Sequence, residues 1–339
     1  MTGINLARLL TAAAAFMATG AVAQTGSDFY RGKTMTLLIG SGEGGGFDAS
    51  ARLAAQFLPR FIPGNPTISV QNMPGASGLR VAEVIANVAP RDGLTIGMTQ
   101  PQMALNKALD ASLRFDPARY VWIGRVGSFT TYAVVAASAA VQSVEQARHA
   151  PLILSASGPT GPGAMLPQAL NQMIGTQFTT IKGYKSAQDS GLAMDRGEVQ
   201  GIGSASMEFV ESKGWLEKGF ARILFTIGFD RDPRVAYAPS TVELMQNDRD
   251  RAAMRLIVSA SVIGRALIAP PDTPPERAAI LRAAFDAMVR DPDVLAEAKK
   301  RGVEVEPVSG MDMQRTVSDI LSVQPEVIER ARAVTQIAP

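Results

Sequence analysis

A short apolar run, a glycine cluster and an amphipathic helix follow one another early in the chain, and the same succession returns in its middle. Thr34 to Gly40 (TMTLLIG) is apolar without alternation, which predicts a parallel strand buried on both faces. The turn Ser41-Gly42-Glu43-Gly44-Gly45-Gly46 follows, and Asp48 then precedes a helix over Ala49 to Phe61 that Pro63-Gly64 stops. Thr67 to Gln71 predicts a second strand, Leu79 to Val88 a helix, and Leu94 to Met98 a third strand. In the middle, strands are expected over Ala133 to Ala137 and Leu152 to Ala156, then a loop Ser155 to Gly161 and a helix Gly163 to Met173. Further strands fall at Thr179 to Lys182, Val199 to Gly203 and Ala221 to Ile227, with a helix over Ala187 to Arg196. This alternation calls for parallel sheets with crossover helices. The last third reads as helical: Pro274-Pro275 opens a helix to about Arg290, Asp293 to Arg301 forms another, and Asp312 to Ala333 one more.

The chain has 339 residues, enough for two domains. Its acidic and basic residues are interspersed around a net charge of +2, so there is no basic stripe to bind nucleic acid. The N-terminus stands apart. Arg8 precedes the apolar run Leu9 to Ala18, and Ala21-Val22-Ala23 forms a small-x-small site before Gln24, the pattern of a cleaved signal peptide over residues 1–23. An uncleaved anchor is the alternative, but the run is about half the roughly 20 residues a span requires. There is no cysteine, so an exported product has neither a disulfide nor a thiol to carry a lipid anchor.

Counting also removes most chemistry. His149 is the single histidine, too few for a metal site or a histidine-based triad, and no G-x-S-x-G occurs. Gly32-Lys33-Thr34 lacks the earlier glycine of a phosphate loop, where Ser27 stands. No catalytic residue, metal or cofactor is expected. Gly40, Gly42 and Gly45 do satisfy G-x-G-x-x-G between a strand and a helix, which keeps a dinucleotide-binding oxidoreductase as the alternative reading. That reading wants an acidic residue about 20 positions on to hold a ribose, and none occurs from Ala49 to Ala82. The loop has a use without a cofactor. Glycines admit close backbone approach, and the following helix offers unpaired N–H groups with partial positive charge. The loop Ser155 to Gly161 has the same equipment, and two such loops across a cleft suit an anionic molecule.

The strings themselves resemble a known family. Phe29 to Asp48, Asn72 to Gly78, Pro90 to Thr95, Ser155 to Gly161, Ile181 to Lys185, Gly197 to Val199 and Ala269 to Pro275 are similar, in order, to motifs of the tripartite tricarboxylate transporter substrate-binding receptors, or Bug family. The resemblance implies an α/β, two-lobed type II periplasmic-binding-protein fold, each lobe a mostly parallel sheet flanked by helices. One lobe would comprise residues 28–128 plus 264–339, the other 129–263. The implied ligand is a small organic acid, held on one side by Gly44, Gly45, Gly46, Phe47, Asp48 and Ser77. Ser155, Ser157, Gly158, Thr160 and Gly161 would hold its far side, and Tyr184 either lines the cleft or is a buried structural residue. Asp48 is expected to orient the loop or cap its helix, not to act as an acid.

The resemblance further implies a periplasmic monomer, free of lipid, that meets two integral membrane transporter subunits transiently; a sensor kinase is the other partner for such a receptor. Phe47, Glu43 and Ser204-Ala205-Ser206 depart from the family pattern and shift the expected ligand from citrate toward a smaller or more apolar acid, or an amide. Trp122 is expected in the core and Trp215 on the surface.

Overall fold

The computed structural model describes residues 26–335, apart from 45, 76–78, 159–160 and 185. The signal segment 1–23 and the positions Gly45, Ser77, Thr160 and Lys185 therefore lie outside the described residues. In chain order the first part contains α1 (Gly26–Phe29), β1 (Thr34–Ile39), α2 (Gly46–Phe57), β2 (Thr67–Asn72), α3 (Leu79–Asn87), β3 (Thr95–Met98), α4 (Met103–Leu109) and β4 (Val121–Arg125). The middle contains β5 (Thr131–Ala136), α5 (Val144–Ala147), β6 (Leu152–Ala156), α6 (Pro162–Ile174), β7 (Phe178–Lys182), α7 (Ala187–Asp195), β8 (Gly201–Ala205), α8 (Met207–Lys213) and β9 (Ala221–Ile227). Then come α9 (Asp248–Ile257), α10 (Ala260–Ile263), β10 (Ala266–Ala269), α11 (Pro275–Met288), α12 (Pro292–Lys300), β11 (Val308–Ser309), α13 (Gly310–Leu321) and α14 (Pro325–Thr335).

These strands form two sheets, one ordered β11-β4-β10-β3-β1-β2 and the other β7-β6-β8-β5-β9. In the first, β1 pairs in parallel with β2 and β3; in the second, β6 pairs in parallel with β7 and β8. Each sheet also takes one strand directly after the chain has crossed from the other, and that strand runs antiparallel: β10 against β3 and β4, β5 against β8 and β9. The two crossings lie side by side. Val126 N–H donates to the Arg265 carbonyl at 2.9 Å, Arg265 N–H to the Gly127 carbonyl at 2.9 Å, and Phe129 N–H to the Ser261 carbonyl at 3.1 Å. The fold class read from the sequence is the fold observed, with mixed sheets where the alternation alone implied parallel ones.

The core follows the patterning. Leu37, Ile39, Ile96 and Met98 are buried beneath α2, α11 and α12 on one face of the first sheet. Leu38, Trp122 and Ile268 face a larger cluster that continues through Leu154, Leu166 and Phe225 of the second. Trp122 is fully buried, as expected.

Three expectations fail. The last third is not wholly helical: β10 and β11 return to the first sheet, on either side of β4. Asp312 to Ala333 is not one helix: α13 ends at Leu321 and α14 restarts at Pro325, because proline has no N–H to donate and disfavours helical geometry in the residue before it. Trp215 is buried, not exposed: α8 ends at Gly214 in a left-handed turn that folds the indole back edge-to-face on Phe209, centroids 5.5 Å apart. Helix α14 lies against α4, α6 and α9, so the end of the chain touches helices attached to both sheets. Among the described residues no helix is long and apolar enough to cross a membrane.

Candidate functional site

The loop after β1 is held open by a buried carboxylate. Asp48, in the first turn of α2, accepts the Gly44 N–H at 2.9 Å, the Arg52 Nε–H at 2.9 Å and the Asn72 Nδ2–H at 2.8 Å. Asn72 in turn donates to the Ser41 carbonyl and accepts from Arg52, so the loop is tied to the end of β2. Burial opposes ionisation of Asp48, but the bonds from Arg52, Asn72 and Gly44 outweigh it and hold the carboxyl below the usual carboxylate range. With these donors engaged, Asp48 shapes the loop. The arrangement also bears on the dinucleotide reading: β2 ends on Asn72, whose amide is committed to the loop, and offers no carboxylate to a ribose.

Phe47 turns inward and packs edge-on against Phe129, ring centroids 5.6 Å apart. Gly46 leaves space that the Arg265 guanidinium occupies, with Nη2 3.3 Å from where a Cβ would stand. Arg265 is 11% exposed, its Nε is buried without a hydrogen bond, and its nearest carboxylate oxygen belongs to Glu208 at 3.9 Å. A positive charge thus sits under the first loop, and no motif in the sequence marked it.

The second loop follows β6. Ser155 is fully buried with its hydroxyl unpartnered, Ser157 is exposed, and Gly161 is the N-cap of α6 with Pro162 next. The start of α6 is pressed onto the second sheet: a Cβ on Gly203 would lie 2.1 Å from the Gly163 carbonyl oxygen.

Between the sheets lies a cavity of about 600 Å³, within the range of small-molecule sites. Gly40, Gly75 and Gln100 border it from the ends of β1, β2 and β3, and Phe129 and Thr131 from the crossing into β5. Gly161, Pro162, Met165 and Leu166 border it from α6. Helix α4 runs along it, with Gln102, Leu105, Asn106 and Leu109 at the spacing of one helical face, followed by Asp110 and Leu113. Gln100 is fixed by donating to the Gly40 carbonyl at 3.2 Å, and Thr131 accepts from Ser204 at 2.9 Å. Asp110 accepts from the Ser112 hydroxyl and N–H, which keep its carboxyl below the usual range. Among the described residues, no lysine, arginine or histidine lines this cavity, and no group of residues fit to hold a metal ion occurs.

Of the residues singled out from sequence, Gly161 lines the cavity directly and Phe47 backs its wall through Phe129. Gly44, Gly46 and Asp48 build the neighbouring loop, and Ser155, Ser157 and Gly158 the approach to α6, but none of these borders the cavity. Tyr184 packs half-buried against the cluster around Tyr132 and Val199. Gln100, Gln102, Asn106, Asp110 and Thr131 were missed. Gln100 and Gln102 follow a strand as the glycine loop follows β1, and that position at the carboxyl end of a parallel strand was the available signal.

On the flank of the crossings, charges meet between elements of the two sheets. Arg234, after β9, pairs with Glu304, after α12, at 2.9 Å. Burial raises the Glu304 carboxyl, against the pull of Arg234.

The family model described as the tripartite tricarboxylate transporter family receptor matches residues 52–332. The match begins just after the first glycine loop and takes in the whole cavity lining except Gly40. Among solved structures, a TctC solute-binding protein from Polaromonas without ligand is similar at 16% identity and TM-score 0.66, covering 88% of this chain and 99% of its own. An R. palustris protein with adipate shares 22% identity at TM-score 0.62, covering 91% and 98%. MatC from Rhodopseudomonas palustris with bound malate shares 19% at 0.59, covering 87% and 99%. No curated protein sequence matches the chain.

Proposed function

The chain belongs to the tripartite tricarboxylate transporter receptor family, and from that premise we propose that it is an extracytoplasmic solute receptor that binds a small carboxylate between two lobes and delivers it to a membrane transporter. The observation that carries this reading is the cavity itself, bordered by the strand ends of the first sheet and by the start of α6 from the second. Neutral donors suit a carboxylate here: the Gln100 and Gln102 amides and the Thr131 hydroxyl. The bound acids of the two R. palustris proteins support the ligand class. In this reading the lobes are residues 28–128 with 264–339, and residues 129–263, with α14 reaching across to α6. Residues 1–23 direct export and are removed, and the mature monomer meets two integral membrane subunits in passing.

The test is to release and identify, by mass spectrometry, whatever accompanies freshly purified mature protein, and then to titrate it back by calorimetry. An organic acid is expected. Met165→Trp, which fills the cavity, should weaken its binding at least about a hundredfold, or roughly 2.7 kcal/mol. A nucleotide as the released molecule, or undiminished affinity in Met165→Trp, would overturn the reading.

A further inference from the structure

The shape and charge of the cavity say more about its ligand than the family does. Helix α4 forms one wall from Gln102 to Asp110, a length of about 12 Å at the helical rise per residue. At the Gln102 end stands the Gln100 amide beside the end of β1, and Thr131, opening β5, adds a hydroxyl to the wall. Beyond them the walls are mostly apolar, broken by the Asn106 amide: Leu105 and Leu109 on α4 face the same space as Met165 and Leu166 on α6. At the far end of α4 stands the carboxylate of Asp110. A dicarboxylate long enough to fill this space would bring its second carboxylate toward Asp110 and, among the described residues, find no cation on the wall.

Two cations by the far end of α4 do not alter this. Lys107 donates to the Ala111 and Leu113 carbonyls, and Arg332 to the Leu109 carbonyl, so both are turned to the backbone, and neither lines the cavity. Asp110 itself stays charged at neutral pH, since Ser112 donates to it twice.

We propose that the cavity selects an elongated monocarboxylic acid, its carboxylate at the Gln100–Thr131 end and its apolar chain between α4 and α6, and that Asp110 rejects dicarboxylates. This rests on the receptor reading above and narrows it: the ligand is an acid with one charged end. A carboxylate head gains hydrogen bonds from the neutral donors, and each methylene placed among the leucines and Met165 leaves water. A second carboxylate would lose hydration among apolar walls and meet a like charge.

The experiment titrates the mature protein by calorimetry with paired acids of equal length: butanoate and succinate, hexanoate and adipate, octanoate and suberate. Monoacid affinity should rise by about fourfold per added methylene until the cavity is full. Hexanoate and octanoate should bind at least about tenfold more tightly than their diacid partners. In Asp110→Asn, which keeps an acceptor for Ser112, that gap should shrink several-fold. Diacids binding as tightly as monoacids, or a gap unchanged in Asp110→Asn, would overturn the proposal and leave the receptor reading standing. If neither series binds and a nucleotide does, both fall.

Discussion

At the scale of single residues, Asp48 carries the most consequence. Its carboxylate gathers the Gly44 N–H, Arg52 and Asn72 into one knot. Gly44 makes the knot possible, since its φ of +82° is strained for any residue with a Cβ. Asp48→Ala should destabilise the protein by about 2–3 kcal/mol in urea unfolding, because it leaves Gly44 and Asn72 donors unpaired. The pH dependence has a definite sign. Asp48 has a depressed folded pKa, so its stabilisation is present above the unfolded value near 3.9 and is lost as pH falls through the folded one. Wild type should therefore lose stability in acid more steeply than Asp48→Asn; parallel acid unfolding curves would refute this. Asp48 and Gly161 were legible because each sits beside a glycine loop at a helix start. Asp110 and Asn106 were not, since their role comes from which side of α4 faces the gap between sheets, and one strand of sequence does not specify its neighbour.

At the scale of elements, the strands of the alternating segments were readable, while β10 and β11 in the last third, the bounds of β4 and the short helices were not. β1 is a mainly apolar run that stops at Gly40, β6 one set between Pro151 and Ser157, and β9 has the bounds the sequence predicted. Helix α4 is seven residues long between Pro101 and Asp110, too short for a periodic pattern to announce itself, yet it forms a whole wall of the cavity. The division of α13 from α14 was signalled by Pro325, which a long apolar period masked. The seating of α6 depends on β8 having no side chain at Gly203. Gly203→Ala should shift the start of α6 off the sheet, cost about 1–3 kcal/mol in thermal unfolding and weaken ligand binding together. Unchanged stability and affinity would show that the contact does not set the helix.

At the scale of the molecule, the two sheets are joined by crossings that hydrogen-bond to each other at Val126–Arg265, Gly127–Arg265 and Phe129–Ser261. In the receptor reading this pair of crossings is where the lobes would bend. The cavity lies beside it and takes its walls from both sides, which is the condition for a ligand to influence the closure of the lobes: a molecule held by one side alone has no preference between open and closed. The pairing of Arg234 with Glu304 across the flank is a contact that such a motion would remake. The central claim is that an organic acid is clamped between the lobes. Small-angle scattering of the mature protein, with and without a saturating amount of the acid released from it, tests that claim most directly. The radius of gyration should fall when the acid binds; an identical radius in both conditions, with binding confirmed by calorimetry, would contradict the clamp.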